Sequence, residues 1–212
     1  MTDVAIVTGA SSGLGREIAL LLADEEDRQV VGVARRPFHE PPIASVAGDA
    51  SLRDTASRAV DVAKQLGRIN LLVNCAGAGV FGPVGSYDDA AIARVIESNL
   101  IATIIFCEAL FPGFRNDGGT IVNILSTAAL IGKPNESVYC AAKWGARGYS
   151  ESLRAEAKGT KARIMTVAPG GMDTAFWSER KSDFMDPKAI AAIVLDAIQR
   201  GVNVGEIVIN RS

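Results

Sequence analysis

Short apolar runs alternate with longer helical segments along this chain, and this alternation constrains the fold more than any other feature. The runs are brief, rich in β-branched residues and nearly continuous in apolar character, at 4–8, 30–34, 70–74, 120–125, 162–168 and 206–210. Strands that are buried on both faces have this pattern, and such strands usually form parallel sheets. The runs therefore predict a parallel sheet with few exposed strand faces.

Between these runs lie longer segments whose apolar residues have helical spacing, at 14–26, 51–66, 88–111, 136–157 and 187–200. Ser51 is a candidate cap for the second segment, Pro187 fits the first turn of the last, and the long third segment is expected to be bent or divided. Strands that alternate with helices predict an α/β fold, a doubly wound (Rossmann) parallel sheet with right-handed crossovers. With 212 residues and no linker, 1–212 is expected to form one domain.

Charge and composition exclude several classes of partner. Acidic and basic residues nearly balance at a net charge of -2, which gives no reason to expect nucleic acid or an anionic membrane. No signal-peptide pattern opens the chain and polar residues interrupt its apolar stretches, so we expect a cytoplasmic protein. The cysteines are widely spaced, so we expect Cys75, Cys107 and Cys140 to be reduced thiols. We expect His39 to be solvated and predict no metal site.

A glycine-rich turn, Thr8 to Arg16, joins the first strand to the first helix with the spacing G-x-x-x-G-x-G. Gly9 allows a sharp turn, Gly13 lets the backbone approach a pyrophosphate, and Gly15 allows the helix to pack closely on the strand. The N–H groups of a helix N-terminus and its dipole stabilise such an anion. The position favours a nucleotide site over a plain turn.

A basic pair stands at the predicted tip of the second strand. An NAD site carries an acid about 20 residues after the glycines, for the ribose 2′-hydroxyl. This chain has Ala34-Arg35-Arg36 there instead. Two guanidiniums bind a 2′-phosphate through charge-assisted hydrogen bonds, so the pair predicts NADP rather than NAD. The alternative is a solvated basic pair on a surface loop.

A phenol and an ammonium, Tyr139 and Lys143, lie one turn apart on a predicted helix. A neighbouring ammonium favours phenolate, so this pair can form a proton donor and acceptor for a carbonyl or an alcohol. Alone, the spacing also fits an ordinary surface pair. Ser126 ends the preceding strand, at the sheet edge where such folds bind ligands. Ser126 is either a hydrogen-bond partner of the reacting oxygen or a capping residue. Thr127 could also fill the first of these roles.

These motifs together resemble the short-chain dehydrogenase/reductase family. The resemblance runs from Val4 to Thr174 and rests on Thr8-Gly9-x-x-x-Gly13-x-Gly15, Asn74-Cys-Ala-Gly77, Asn99, Ser126, Tyr139-x-x-x-Lys143 and Pro169-Gly170, in the family's order. It implies that Tyr139 is the general acid/base, that Lys143 lowers its pKa and holds the nicotinamide ribose, that Ser126 orients the substrate oxygen and that Asn99 supports a proton relay. The family often has a second asparagine where this chain has Cys75.

The resemblance also implies a set of cofactor contacts. Asp49 would contact adenine, the segment from Asn74 to Gly77 would flank the adenine ribose, and the segment from Pro169 to Thr174 would contact the nicotinamide carboxamide. The full predicted cofactor set is Thr8, Gly9, Ser11, Ser12, Gly13, Leu14, Gly15, Arg35, Arg36, Asp49, Ala50, Asn74, Ala76, Gly77, Tyr139, Lys143, Pro169, Gly170, Met172 and Thr174.

The predicted substrate lid, 172–186, is short for this family. Its apolar residues, Phe176, Trp177, Phe184 and Met185, fit equally a lid over a small hydrophobic substrate and a core or subunit contact. The family associates through its long central helices, so the resemblance implies a homodimer or homotetramer. The apolar stretch 100–111 fits an interface and a core helix equally.

The sequence predicts an NADP-dependent oxidoreductase that transfers hydride between nicotinamide and a small carbonyl or alcohol, with reduction as the expected direction. An NAD-dependent alcohol dehydrogenase is the alternative within the fold, and Arg35 and Arg36 argue against it. A regulator that senses NADP without turnover is the alternative from another class. Such a protein has no need of the full set of Asn99, Ser126, Tyr139 and Lys143. A purely structural role leaves that set unexplained.

Overall fold

The fold is a seven-stranded parallel sheet with helices on both faces, as the sequence predicts. In the computed structural model, which describes residues 2–177, 183–200 and 202–211, the strands lie in the order β3-β2-β1-β4-β5-β6-β7. The strands are β1 (Asp3–Thr8), β2 (Arg28–Ala34), β3 (Ala44–Ala47), β4 (Arg68–Asn74), β5 (Gly119–Ile124), β6 (Ala162–Pro169) and β7 (Glu206–Ile209). The helices are α1 (Gly13–Ala23), α2 (Arg53–Leu66), α3 (Asp89–Ile96), α4 (Ala102–Asp117), α5 (Ser137–Glu156) and α6 (Pro187–Gln199).

Alternate residues of each central strand enter two separate core layers. Val4 and Ile6 of β1 pack on the side of α2 and α4, whereas Ala5 and Val7 pack on the side of α1 and α6. Because both faces of the strand are covered, every position from Val4 to Thr8 is buried. This explains why the strands read as continuous apolar runs.

The sequence pattern does not predict the edge strand β3, so the first half of the predicted sheet ends at β2. It has four residues, of which only Val46 is buried, and it pairs with the end of β2 through Val31↔Ala44 to Ala34↔Ala47. An edge strand this short and half-exposed lacks the continuous apolar pattern of the others. The predicted serine cap of the second helix was wrong, because Leu52 is the N-cap of α2 and Ser51 hydrogen-bonds Asp49 instead.

The long third helical segment is interrupted, as predicted. Between α3 and α4 a π-helical turn spans Glu97–Ile101. By length and composition alone the run Asp89–Asp117 could cross a membrane, a test that the core helix of a soluble protein also passes. Phe106, Cys107 and Phe114 of α4 are buried in the core layer against the sheet, as in such a core helix.

The chain reverses its direction across the sheet after β3, so β1 and β4 become neighbours. In doubly wound sheets the ligand crevice lies beyond the carboxyl ends of the strands at this switch point. Thr8 at the end of β1 joins the two sides, because its hydroxyl accepts hydrogen bonds from the N–H groups of Cys75 (3.1 Å) and Ala76 (3.0 Å). The fold thus places the glycine turn beside the segment that follows β4.

Candidate active site

A cleft of about 590 Å³ runs along the carboxyl edge of the sheet, from the tip of β2 to the N-terminal half of α5. Most of the predicted site residues line it. From the predicted set these are Gly9, Ser11, Ser12, Gly13, Leu14, Gly15, Arg35, Asp49, Ala50, Ala76, Gly77, Asn99, Ser126, Tyr139, Lys143, Pro169, Gly170, Met172 and Thr174. Residues far apart in sequence are therefore brought to one edge of the sheet.

Three residues of the predicted set do not line the cleft. Thr8 is buried and holds the segment after β4, as described above. Asn74 is buried too, and its amide donates to the Asn123 side chain (2.8 Å) on β5. Arg36 is exposed and lies outside the cleft. Thr8 and Asn74 thus support the sheet edge that shapes the cleft.

The glycine turn has the features of an anion cradle. Gly9 and Gly13 adopt positive φ values of 72° and 55°, and a Cβ on Gly9 would lie 3.0 Å from the Ala76 backbone. Helix α1 begins with Ser12 as its N-cap, and no side chain caps its first turn. The first N–H groups of α1 therefore remain available to a ligand in the cleft, where the helix dipole favours negative charge.

The segment after β6 closes the other side of this cradle. Thr174 lies so near the turn that a Cβ on Gly13 would meet its side chain at 3.3 Å. Its neighbours 175–177 also line the cleft, while residues 178–182 of the predicted lid lie outside the described residues. A pyrophosphate bound at α1 would therefore lie between the glycine turn and this segment.

Arg35, at the tip of β2, is a predicted cofactor residue whose guanidinium is available to a ligand. It is exposed, lines the cleft, and makes no ion pair within the described part of the chain. The nearest acid that follows it, Glu40, is held by Arg16, whose guanidinium donates to both carboxylate oxygens (2.9 and 2.7 Å). This fork also lowers the pKa of Glu40. The tip of β2 thus presents a free guanidinium.

Ser126, Tyr139 and Lys143 meet at the far end of the cleft. Ser126 follows β5 and caps a short 3-10 helix, Thr127–Ala129, by accepting from the Ala128 N–H (3.1 Å). The Lys143 ammonium donates to the Ile124 carbonyl (3.0 Å) and lies 5.8 Å from the centre of the Tyr139 ring. Both the capping and the catalytic interpretations of Ser126 are therefore compatible with its position.

Burial dominates the acid–base properties of this group. It raises the pKa of Tyr139, and the neighbouring Ser126 hydroxyl opposes the shift only in part. It also lowers the pKa of Lys143 to about 8. The net shift of Tyr139 is upward because removing the phenolate from water costs more than the favourable contacts of its neighbours return, and the role of Lys143 in lowering this pKa stays a prediction. At neutral pH the phenol is protonated.

The π-helical turn presents Asn99 to the cleft. Its amide group donates to the carbonyls of Ala78 (2.7 Å) and Val95 (2.9 Å), while its buried Oδ1, like that of Asn74, has no hydrogen-bond partner among the described residues. A Cβ on Gly77 would lie 2.6 Å from that oxygen. A buried acceptor without a partner is rare and points to a missing donor such as a ligand or a water. The predicted interruption of the long helical segment is therefore the π-helical turn that carries the predicted site residue Asn99.

Aromatic rings cover the substrate side of Tyr139. Phe81, from the loop after β4, meets the Tyr139 ring edge-on at 5.7 Å and stacks on Trp177 at 5.1 Å. Phe176 contacts both Phe81 and Tyr139. Trp177 packs in turn against Phe184. The aromatic residues of the predicted lid therefore form an apolar wall beside the phenol.

A second wall of the cleft is charged, and sequence reasoning missed its residues. Arg94 and Glu97 come from α3 and the π-helical turn, and Lys133 and Glu136 precede α5. Nothing in the residue types alone shows that these side chains line the cleft. Cys75 also lines the cleft, and burial raises the pKa of its thiol to about 12.

Comparisons with known proteins agree with this geometry. The family model of the short chain dehydrogenases matches residues 3–184. A 3-oxoacyl-[acyl-carrier-protein] reductase from Homo sapiens is 30% identical, over 87% of this chain and 82% of its own length. A sepiapterin reductase from Chlorobaculum tepidum is 30% identical, over 93% of this chain and 90% of its own length.

Solved structures show the same similarity. A short-chain dehydrogenase/reductase from Vibrio parahaemolyticus superposes with a TM-score of 0.85 at 32% identity, over 98% of this chain and 96% of its own. A short chain dehydrogenase from Burkholderia cenocepacia, solved in complex with NADP, gives 0.87 at 29% identity, over 98% and 88%. This protein belongs to the short-chain dehydrogenase/reductase family and is an oxidoreductase of that family.

Proposed function

We propose that this protein is an NADP-dependent reductase of small carbonyl compounds, with Tyr139 as the proton donor. The observation that carries the proposal is the shared cleft, which has the unpaired Arg35 at one end and Ser126, Tyr139 and Lys143 at the other. The similarity to a family member solved with NADP supports the choice of cofactor. NADP use in cells favours the reductive direction.

The residues of the cleft fit the cofactor. Arg35 would hold the 2′-phosphate through charge-assisted hydrogen bonds, and the uncapped first turn of α1 would hold the pyrophosphate. Asp49 and Ala50 line the cleft where the adenosine would lie, and the segment from Pro169 to Thr174 lines it where the nicotinamide would lie. When bound, the nicotinamide supplies the hydride.

The protein's own groups would then handle the proton. Burial keeps the Tyr139 phenol protonated at neutral pH, which is the form that donates a proton to a carbonyl oxygen during reduction. The Ser126 hydroxyl, beside that phenol, would hold the same oxygen in place. The aromatic wall of Phe81, Phe176 and Trp177 would exclude water from the reacting carbonyl.

The test is turnover by Tyr139→Phe, with Tyr149→Phe as the matched control. Tyr149 lies on the same helix, but its hydroxyl bonds Glu108 outside the cleft. Consumption of NADPH with a panel of small aldehydes and ketones should fall about 10²- to 10⁴-fold in Tyr139→Phe, and NADPH affinity should change far less than turnover. Tyr149→Phe should keep its activity.

Each other result has a definite meaning. Turnover that survives Tyr139→Phe contradicts the assigned chemistry. Equal use of NADH and NADPH favours the NAD-dependent alcohol dehydrogenase. Tight NADPH binding without turnover on any substrate favours the sensing regulator.

A cytoplasmic homodimer or homotetramer completes the proposal. Trp144 of α5 is half-exposed, next to Lys143 on the helix, and α4 ends with exposed residues on its outer face. An interface on α4 and α5 would cover this surface and fix the helix that bears the catalytic pair. Light scattering should therefore give the mass of a dimer or tetramer, and a monomeric mass would contradict the expectation.

A further inference from the structure

The charged wall of the cleft contains an ammonium directed at the reacting end. The Lys133 Nζ donates to the Thr127 hydroxyl (2.9 Å), and Thr127 directly follows Ser126. Lys133 is half-buried and lines the cleft. Its ammonium is therefore bonded to the residue that follows Ser126, the group expected to hold the substrate oxygen.

Lys133 has an acid close by in sequence and does not pair with it. Glu136 lies one turn away and also lines the cleft, yet within the described residues neither it nor Glu97 forms an ion pair with Lys133. Burial raises the pKa of Glu136, and the charge of Lys133 opposes that shift only in part. The ammonium is held by a neutral hydroxyl and keeps donor capacity for a ligand, since an ammonium carries three donors.

A second cation extends the same wall. Arg94 of α3 lines the cleft and makes no ion pair in the described part of the chain. Elsewhere many arginines are paired, as Arg147 is with Glu206 through two hydrogen bonds of 3.0 Å. Unpaired cations at a cleft are suited to bind an anionic group, which they recognise through charge-assisted hydrogen bonds.

We propose that the substrate is a short oxo acid whose carboxylate binds Lys133 while its carbonyl oxygen lies at Ser126 and Tyr139. This inference rests on the proposed reductase function and names its substrate class. Because Lys133 donates to the residue that follows Ser126, we expect the carboxylate to lie within a few carbons of the carbonyl. The aromatic wall beside Tyr139 would pack against the carbon chain of such a substrate.

The test compares acetoacetate with its methyl ester, which has the same ketone and lacks the charge. Wild-type kcat/KM should favour the acid. Lys133→Met removes the ammonium and keeps the apolar stem, so KM for acetoacetate should rise about 10-fold or more, as expected for a lost charged hydrogen bond, with little change for the ester. Lys158→Met, the same change in the exposed turn that follows α5, is the matched control and should alter neither substrate.

Two results overturn the proposal and leave the reductase function intact. One is equal wild-type kcat/KM for acid and ester with Lys133→Met unchanged, and the other is a preference for the neutral ester or for a ketone bearing a quaternary ammonium. A protein that binds NADPH but reduces no carbonyl compound removes the proposed function and this inference together. Unchanged NADPH affinity and an unchanged thermal midpoint in Lys133→Met would show that the variant is folded.

Discussion

Arg35→Ala should separate NADPH from NADH, with Arg36→Ala as a control one residue further along. Arg35 lines the cleft without an ion-pair partner among the described residues, whereas Arg36 is exposed and does not line the cleft. A hydrogen bond to a charged group contributes about 1.5–3 kcal/mol. Because Arg35 is exposed to solvent, the lower end applies, and about 1.4 kcal/mol corresponds to a tenfold change in affinity. The dissociation constant for NADPH should therefore rise about tenfold.

The assay is a titration of each variant with NADPH and with NADH, followed by nicotinamide fluorescence at fixed ionic strength. NADH affinity of Arg35→Ala and both affinities of Arg36→Ala should stay within about twofold of wild type, as for a surface substitution of about 0.5 kcal/mol. The NADPH preference of wild type should also weaken as salt screens the contact. A larger loss in Arg36→Ala, or an equal loss of NADH affinity in Arg35→Ala, would refute the assignment of the 2′-phosphate to Arg35.

Two further predictions follow from local geometry. Gly9→Ala should lower the free energy of unfolding by about 1–3 kcal/mol and weaken NADPH binding, because the position has a φ of 72° and no room for a Cβ beside Ala76. Gly148→Ala, in α5 with nothing within 4 Å, should be neutral or stabilising, and an equal loss in chemical denaturation would contradict the argument. Burial lowers the pKa of Lys143 from 10.5 to about 8, so between these pH values the unfolded chain binds more protons than the folded one and stability rises with pH. Wild type should therefore gain up to about 3 kcal/mol relative to Lys143→Met across this interval, and a constant difference in denaturation experiments would show that the ammonium is not desolvated.

The sequence predicted the central sheet because burial on both faces leaves a simple pattern. Strands β1, β4 and β5 each carry a run of buried apolar residues, and the glycine turn after β1 has a spacing that few other functions require. Strand β3 has no such run, because an edge strand needs apolar side chains on only part of its surface. The pattern therefore predicts strands that carry a run of apolar residues, including the partly buried edge strand β7, and does not predict a short strand such as β3 that lacks one.

The aromatic and charged walls of the cleft could not be predicted for a different reason. Their residues lie in loops and at helix ends, where the direction of a side chain depends on tertiary contacts. The carbonyl of Asn135 accepts from the Gly82 N–H (2.8 Å) and the Tyr87 hydroxyl (3.1 Å), and so ties the loop of Phe81 to the loop of Lys133. No periodic pattern in the sequence of either loop predicts these two hydrogen bonds.

The motif residues themselves divide into two physical kinds that sequence comparison cannot separate. Thr8 and Asn74 occupy motif positions but do not line the cleft: the Thr8 hydroxyl accepts from the segment after β4 and the Asn74 amide group donates to Asn123 on β5, while the buried Asn74 Oδ1 has no partner among the described residues. Arg35 and Asn99 present free polar atoms to the cleft. Substituting the first kind should lower stability and cofactor affinity together, whereas substituting Arg35 should change affinity alone. Whether a motif residue lines the cleft, which the structure shows and the sequence does not, therefore decides which motif residues can contact a bound ligand.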